Sequence, residues 1–228
     1  MLRTVFLDLD DTILDFARAE AQALRRALRE MDAPSDDGVL ARYHAINAAQ
    51  WELLEEGLLT REQVLLGRFD ILFGELGLTR SAREICERYE GYLAEGHWFV
   101  PGAEALLEAL APRYELYLAS NGTAEVQYRR LESAGIRRYF RGIFLSRELG
   151  ADKPSLAFFE KCFAAVPGFS RESAVMVGDS LTSDIRGGRD AGLRTCWFNP
   201  QGKPARADIV PDYEISALDQ LPPLLETL

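Results

Sequence analysis

The stretch Thr4-Val5-Phe6-Leu7-Asp8-Leu9-Asp10-Asp11-Thr12 decides how the rest of the chain is read. A β-branched, aromatic and aliphatic run passes straight into three aspartates. It predicts a buried strand that delivers acidic side chains at its carboxyl end. Alternate residues of an extended chain share a face, so Asp8 and Asp10 both face one site if extension continues through them. Crowded carboxylates are costly unless a cation lies between them or one stays protonated. Both outcomes support chemistry: an ionised aspartate is a nucleophile, and a neighbour of raised pKa is an acid. For three aspartates taken alone, a solvated acidic turn is the plain alternative.

Working outward, similar short runs recur at Glu115-Leu116-Tyr117-Leu118-Ala119, Gly142-Ile143-Phe144-Leu145, Ala174-Val175-Met176-Val177 and Arg194-Thr195-Cys196-Trp197-Phe198, with Tyr213-Glu214-Ile215 as an edge strand. Helical patterns lie between them, among them Ala103 to Leu110, Ala124 to Ala134 and Leu156 to Ala165. Strands alternating with helices predict an α/β fold, a parallel sheet covered on both faces. Such sheets bind ligands at the carboxyl ends of their strands.

The stretch from Asp15 to Trp98 breaks the rhythm, with about four helical patterns and no convincing strand. Phe16, Ala23, Leu24, Ala27, Leu28 and Met31 fall on one helical face. Thr60-Arg-Glu-Gln63 and Ser81-Ala-Arg-Glu84 are capping-box starts. Pro101-Gly102 marks the return to the strand–helix pattern. The expected organisation is therefore a core of residues 1–14 and 99–228 and an inserted all-helical cap of residues 15–98.

Three further motifs follow predicted strands. Ser120-Asn121-Gly122 offers a hydroxyl and N–H donors suited to phosphate oxygens, with a glycine that lets backbone approach closely; it is also ordinary turn chemistry. Lys153-Pro154 offers a compact point charge for a nucleophile and a substrate phosphate, although most lysines are merely solvated. Gly178-Asp179-Ser180-Leu181-Thr182-Ser183-Asp184 offers hard oxygen ligands of the kind Mg²⁺ prefers, with helix capping by Asp184 as the bland alternative. Gly187-Gly188 and Ala191-Gly192 fit a tight helix and turn packed on the sheet.

Bulk properties set limits. Of the 228 residues, 47% are apolar and 27% charged, a globular mix. No apolar run approaches the ~20 residues that cross a bilayer. Met1-Leu2-Arg3 meets acidic sequence too soon for a secretory signal, so a cytoplasmic address is expected. Cys86, Cys162 and Cys196 show no ligand or disulfide spacing and read as buried thiols. The net charge of −10 argues against binding a nucleic acid polymer, but not against a small anionic ester held by a metal and a few local cations.

In order, apolar strand–Asp8-x-Asp10-x-Thr12, apolar strand–Ser120-Asn121, Lys153-Pro154 and Val177-Gly178-Asp179-x4-Asp184 resemble the haloacid dehalogenase-like hydrolase superfamily. The likeness runs from the first strand to Asn199 and implies a Rossmann-like core with a helical cap, of the type that includes phosphoglycolate phosphatases and haloacid dehalogenases. It implies that Asp8 attacks phosphorus to form an aspartyl-phosphate, and that Asp10 protonates the leaving alcohol and then activates water. Mg²⁺ would be held by Asp8, Asp179 and the backbone carbonyl of Asp10, while Asp184 holds a water on the ion or orients Lys153. Ser120, Asn121 and Lys153 would bind the phosphoryl group. Dehalogenases of the superfamily lack an acid–base aspartate at the position of Asp10, which favours phosphatase chemistry. Many members carry glycine where this chain has Asp11, a position that varies between branches.

Substrate choice belongs to the cap. His44, Asn47 and Trp51 lie three and four residues apart on one helical face, with Arg68 in the next helix. An indole beside hydrogen-bonding groups can stack on a nucleobase and read its edge; interior packing of the same residues is the alternative. Asn47, Trp51, Glu55-Glu56-Gly57, Thr60 and Gly67-Arg68-Phe69 resemble the bacterial 5′-nucleotidases that act on pyrimidine and non-native nucleoside monophosphates. Gly192 to Asn199 resembles them too. A phosphoglycolate or sugar-phosphate phosphatase is the runner-up. A phospho-accepting signalling module, or a non-catalytic binding protein, is the rival of another class.

Overall fold

All four residues of Thr4–Leu7 are buried, and they form β1 at the middle of the sheet. A central strand of a parallel sheet is covered on both faces, so Val5, Phe6 and Leu7 run apolar without alternation, after a buried Thr4. The computed structural model describes residues 1–228 and divides into two units: Met1–Asp15 with Trp98–Leu228, and Phe16–His97.

The helical unit consists of α1 (Phe16–Glu30), α2 (Asp37–Glu55), α3 (Arg61–Glu75) and α4 (Ala82–Leu93). Helix α1 buries Ala19, Ala23, Leu24, Ala27 and Leu28, and with them Glu20. The rings of Tyr43, Phe69 and Tyr89 meet with centroids 5.1 to 5.7 Å apart, a spacing that favours aromatic pairs. Thr60 closes a full capping box at the start of α3: its hydroxyl accepts from Gln63 N–H, and Gln63 Oε1 accepts from Thr60 N–H. At Ser81 only half of the expected box forms. The hydroxyl accepts from Glu84 N–H, but the Glu84 carboxylate takes Arg88 one turn on, where a charged partner competes with the backbone.

In the other unit the strands are β1, β2 (Glu115–Ser120), β3 (Gly142–Leu145), β4 (Ala174–Gly178), β5 (Arg194–Phe198) and β6 (Tyr213–Ile215). They pair in the order β3-β2-β1-β4-β5-β6, all parallel. The helices are α5 (Ala103–Leu110), α6 (Ala124–Ser133), α7 (Ser146–Leu149), α8 (Leu156–Ala165), α9 (Arg186–Asp190) and α10 (Leu221–Leu225). Strand alternation sorts two cores. Val5, Leu7, Leu116, Leu118, Val175 and Val177 pack with Leu106, Leu107 and Leu110 of α5 and Leu221 of α10. Phe6, Tyr117, Phe144 and Met176 pack on the other side with Phe158, Phe159 and Phe163 of α8. A fully buried phenylalanine such as Phe6 contributes about 1.5–3 kcal/mol from burial alone.

Register positions the site. Leu7, the last residue of β1, lies opposite Leu118 on one side and Val177 on the other, so Asp8 emerges beside the last residues of β2 and β4. Close packing of α9 relies on glycine on two sides: a Cβ on Gly187 would lie 2.6 Å from Phe159 Cε2 of α8, and one on Gly188 would lie 3.0 Å from Met176 Cβ of β4. No helix is long and apolar enough to cross a membrane.

Candidate active site at the carboxyl ends of the strands

Beyond β1 the chain folds into a tight loop. Ile13 and Leu14 N–H both donate to Leu9 carbonyl oxygen, and Asp11 N–H donates to Leu14 carbonyl oxygen. Leu9, Ile13 and Leu14 are fully buried and anchor the loop in the core, while Asp8 and Asp10 carry the polar contacts. Asp11 sits at φ +54°, in the left-handed region. Glycine takes that conformation without penalty, and aspartate is among the few other residues that tolerate it. Glycine and aspartate are therefore both compatible with this turn.

Lys153 is the hub. It is 1% exposed, and its ammonium donates to Asp8 Oδ1 at 2.6 Å, Asp184 Oδ1 at 2.7 Å and the Ala119 carbonyl at 2.7 Å. Three donors meet three acceptors. Burial alone would lower the lysine pKa, but Asp184 and Asp8 more than reverse that and hold it above its ordinary value. Asn121 places the lysine: its side-chain amide donates to Lys153 carbonyl oxygen and its Oδ1 accepts from Lys153 N–H, both at 2.9 Å. The Asn121 side chain thus grips backbone rather than facing the expected phosphate.

Asp184 comes from the segment after β4. A wide-wound turn spans Leu181–Ile185, where Ile185 N–H reaches back five residues to Ser180 carbonyl oxygen. Ser180 caps it through Ser183 N–H, and Asp184 Oδ2 accepts from Ser180 N–H at 3.1 Å. Ser180 is therefore the cap, and Asp184, considered as a cap from sequence, lies inside the turn and serves the site. Gly178 makes room for it, since a Cβ there would lie 2.1 Å from Asp184 Oδ2. The buried indole of Trp197 on β5 donates to the Asp179 carbonyl at 2.9 Å, fixing the strand end.

Ligand oxygens of Asp8, Asp179 and Asp184 all lie within 4.8 Å of one another. Burial, with Asp184 and Asp11 adding to it, pushes the Asp179 carboxyl up to about 8, against the opposing pull of Lys203 at 3.6 Å. Burial also raises Asp8 well above the ordinary range. Lys153 pulls it back, while Asp184, Asp10 and Asp179 push it up. A carboxylate cluster with this conflict among its own charges fits a hard divalent cation, which would favour the ionised forms. The carboxylate cluster includes Asp184, expected behind the ion, and not the Asp10 carboxylate.

Asp10 instead faces α6. Its Oδ1 pairs with the Arg130 guanidinium and its Oδ2 accepts from Gln127 Nε2 at 2.6 Å. The same Gln127 nitrogen donates to Ser120 Oγ at 2.9 Å, and Gly122 N–H also donates to that hydroxyl. Gln127 and Arg130 escaped the sequence reading. Their signal was two polar residues, three apart, on the buried stripe that α6 shares with Ala124 and Leu131.

In the helical unit the four residues expected to read substrate lie differently. Asn47 and Arg68 are buried: Asn47 Nδ2 donates to Glu20 Oε1 at 2.7 Å, and Arg68 Nη1 donates to Asn47 Oδ1 at 2.9 Å. The Arg68 guanidinium also lies 5.0 Å from the Tyr89 ring and 5.1 Å from that of Phe69. His44, its side chain 55% exposed, meets Glu20 Oε2 at 2.6 Å through Nδ1. Trp51 is half-buried, with the Arg61 guanidinium 5.3 Å from its ring centroid. Glu20, a carboxylate on the apolar stripe of α1, joins this network from a helix read only for its hydrophobic face.

Comparison with known proteins bears on the whole length. A family model described as haloacid dehalogenase-like hydrolase matches residues 2–192. The HAD-hydrolase YfnB of Bacillus subtilis (strain 168) is 41% identical over 219 residues, 96% of this chain and 93% of that protein. Its crystal structure, bound to magnesium, superposes with a TM-score of 0.95 and covers 98% of both chains. The pyrimidine 5′-nucleotidase PynA of Streptococcus pneumoniae is 36% identical over 95% of this chain and 92% of its own. The pyrimidine 5′-nucleotidase YjjG of Escherichia coli (strain K12) is 30% identical over 97% of this chain and 96% of its own.

Proposed function

Because the chain belongs to the haloacid dehalogenase-like hydrolase family, we propose that it is a Mg²⁺-dependent phosphomonoesterase whose substrates are nucleoside 5′-monophosphates. Lys153 is the observation that carries the phosphatase reading: a buried ammonium fixed to a carboxylate at the end of the central strand, beside a cluster of further carboxylates. Phosphoryl transfer needs positioning and charge stabilisation at one point, and this arrangement offers both.

In the proposed reaction the Asp8 carboxylate attacks phosphorus and the bond to the ester oxygen breaks, leaving an aspartyl-phosphate. The leaving oxygen takes a proton from Asp10. Water then attacks the phosphorus, gives its proton to Asp10, and inorganic phosphate departs as Asp8 is restored. Lys153 holds one Asp8 oxygen in place and faces the charge that gathers on the phosphoryl group, joined there by Ser120 and the Asn121 N–H. Asp8, Asp179 and the Asp10 carbonyl would hold Mg²⁺, with Asp184 tied to Lys153 behind them. When bound, the ion supplies Lewis acidity and offsets the charge of the clustered carboxylates.

The substrate class rests on likeness to PynA and YjjG, both named pyrimidine 5′-nucleotidases. In the same proposal the Trp51 indole stacks on the base and His44, oriented by Glu20, reads its edge; Arg68 and Asn47 hold Glu20 in place. The test is a panel of pyrimidine and purine nucleoside monophosphates, sugar phosphates and phosphoglycolate, each with Mg²⁺ or with EDTA, on native protein and Asp8→Asn. Turnover should need both Asp8 and Mg²⁺ and be highest with nucleotides. Full activity in EDTA, or in folded Asp8→Asn, defeats the mechanism; preference for phosphoglycolate or a sugar phosphate defeats the substrate class.

A further inference from the structure

We propose that Gln127 and Arg130 are positioning residues for the acid–base step, a pair that holds the Asp10 carboxylate in its working orientation and ties it to Ser120. The inference rests on the assignment of Asp10 as proton donor and acceptor made above.

Asp10 lies on an irregular loop rather than within a strand, and its side chain is 27% exposed. Nothing in the loop backbone fixes its χ angles. Two donors from one helix do so instead: Arg130 takes Oδ1 and Gln127 takes Oδ2. Arg130 is itself 1% exposed and donates to Gln127 Oε1 at 3.0 Å, so each member of the pair orients the other. A buried guanidinium carries a large desolvation cost, which is met here by a carboxylate that also faces the site. A carboxylate offers about four lone-pair positions, so with one donor on each oxygen Asp10 keeps capacity for the proton it exchanges.

A second observation stands apart from these hydrogen bonds. A Cβ on Gly122 would lie 2.1 Å from Gln127 Nε2 and 2.5 Å from its Cδ. Gly122 is outside the left-handed region, so steric room for Gln127, not backbone conformation, calls for glycine there. The Ser120-Asn121-Gly122 motif therefore serves two ends: its serine is oriented by Gln127, and its glycine admits Gln127.

The consequence is a link between the group that handles the leaving oxygen and the hydroxyl expected at the phosphoryl oxygens. The two tasks separate experimentally. Ser120 acts on oxygens common to every ester, whereas the proton from Asp10 matters only when the leaving group is a poor one. p-Nitrophenolate leaves without a proton; the alkoxide of a nucleoside 5′-monophosphate does not.

The experiment compares single-turnover cleavage, with enzyme in excess, of uridine 5′-monophosphate and p-nitrophenyl phosphate by wild type, Arg130→Met, Gln127→Leu and Asp10→Asn. The readout is the ratio of the two rates, nucleotide over aryl ester. A merely structural loss lowers both rates and leaves the ratio unchanged. The ratio should fall about tenfold or more in Arg130→Met and in Gln127→Leu, and further in Asp10→Asn, in line with the 10²–10⁴-fold contribution of a positioned acid. If Arg130→Met does not fold, Gln127→Leu decides. Ratios within about twofold of wild type in both folded variants, while Asp10→Asn lowers it, overturn the positioning role and spare the reading of Asp10. An unchanged ratio in Asp10→Asn removes the acid–base assignment and the proposal with it. Wild-type protein that cleaves neither ester removes the phosphatase reading itself.

Discussion

Gly178→Ala is expected to damage the site through sterics alone. Gly178 closes β4 and is not in the left-handed region, so alanine meets no backbone penalty there. Its Cβ, however, would lie 2.1 Å from Asp184 Oδ2, 2.4 Å from Cγ and 2.8 Å from Cβ. Carbon and oxygen atoms rest at roughly 3.5 Å, so the carboxylate must retreat by about 1 Å or more. That carboxylate is held at 2.7 Å by Lys153 Nζ and at 3.1 Å by Ser180 N–H. Losing a hydrogen bond to a charged group costs about 1.5–3 kcal/mol. Overpacking a filled site adds about 1–3 kcal/mol. A sum near 4 kcal/mol, at about 2–4 °C per kcal/mol for a chain of this size, lowers the melting midpoint by roughly 10 °C. Lys153 moves with Asp184, and a shift of about 1 Å at a reacting group costs on the order of 10²-fold in rate. Calorimetry and kcat/KM on p-nitrophenyl phosphate give the two numbers. An Asp184→Ala background removes the two closest atoms, so Gly178→Ala should there cost less than half as much stability. An unchanged midpoint in the single mutant, or an equal cost in both backgrounds, refutes the reasoning.

Three other outcomes follow from the same structure. Lys153→Met strands two buried carboxylates, Asp8 and Asp184, and should cost about 3–5 kcal/mol in denaturant unfolding besides abolishing turnover; a stability within experimental error of wild type contradicts the hub role. Trp51→Ala should raise KM for pyrimidine nucleotides about tenfold or more, the scale of one base–aromatic stack, with little change for p-nitrophenyl phosphate. Equal effects on the two substrates would rule out stacking. Burial pushes the Cys162 and Cys196 thiols up to about 12, so raising pH to 8 leaves both protonated, with a thiolate fraction on the order of 10⁻⁴. Native protein at pH 8 should leave both unlabelled by iodoacetamide and the denatured chain should label them; rapid native labelling of either refutes the burial argument.

The strand runs, the acidic motifs and the helical insertion were legible before any coordinates, because each is a local property. A parallel strand buried on both faces is apolar along its length, as Val5–Leu7 and Ala174–Val177 are. An acid that follows such a run has only the sheet's carboxyl edge to occupy, and ligand oxygens of Asp8 and Asp179 lie there within 4.8 Å of each other. Periodicity also separates strand from helix, so the stretch beginning at Phe16 declared itself by its 3.6-residue stripe.

Lys153 was legible as a charge for the nucleophile, but most other partners were not. Periodicity states which face a residue occupies, not what it meets there. Asp10 is joined to Arg130 across 120 positions and to Gln127 across 117. Those pairings follow from register, with Leu7 level with Leu118 and Val177, and from how α6 lies on the sheet. The strand-end position of Asn121 suits its N–H to a phosphate oxygen; only the tertiary fold tells that its side-chain amide holds the Lys153 backbone. Glu20 was hidden in the same way, since a charged residue on an apolar stripe makes sense only once Asn47 and His44 are placed against it. Side-chain chemistry along the chain settled which groups are available. The three-dimensional packing of distant segments settled which of them share a charge or a proton, because electrostatic and hydrogen-bond energies depend on distances of a few ångströms that sequence separation does not encode.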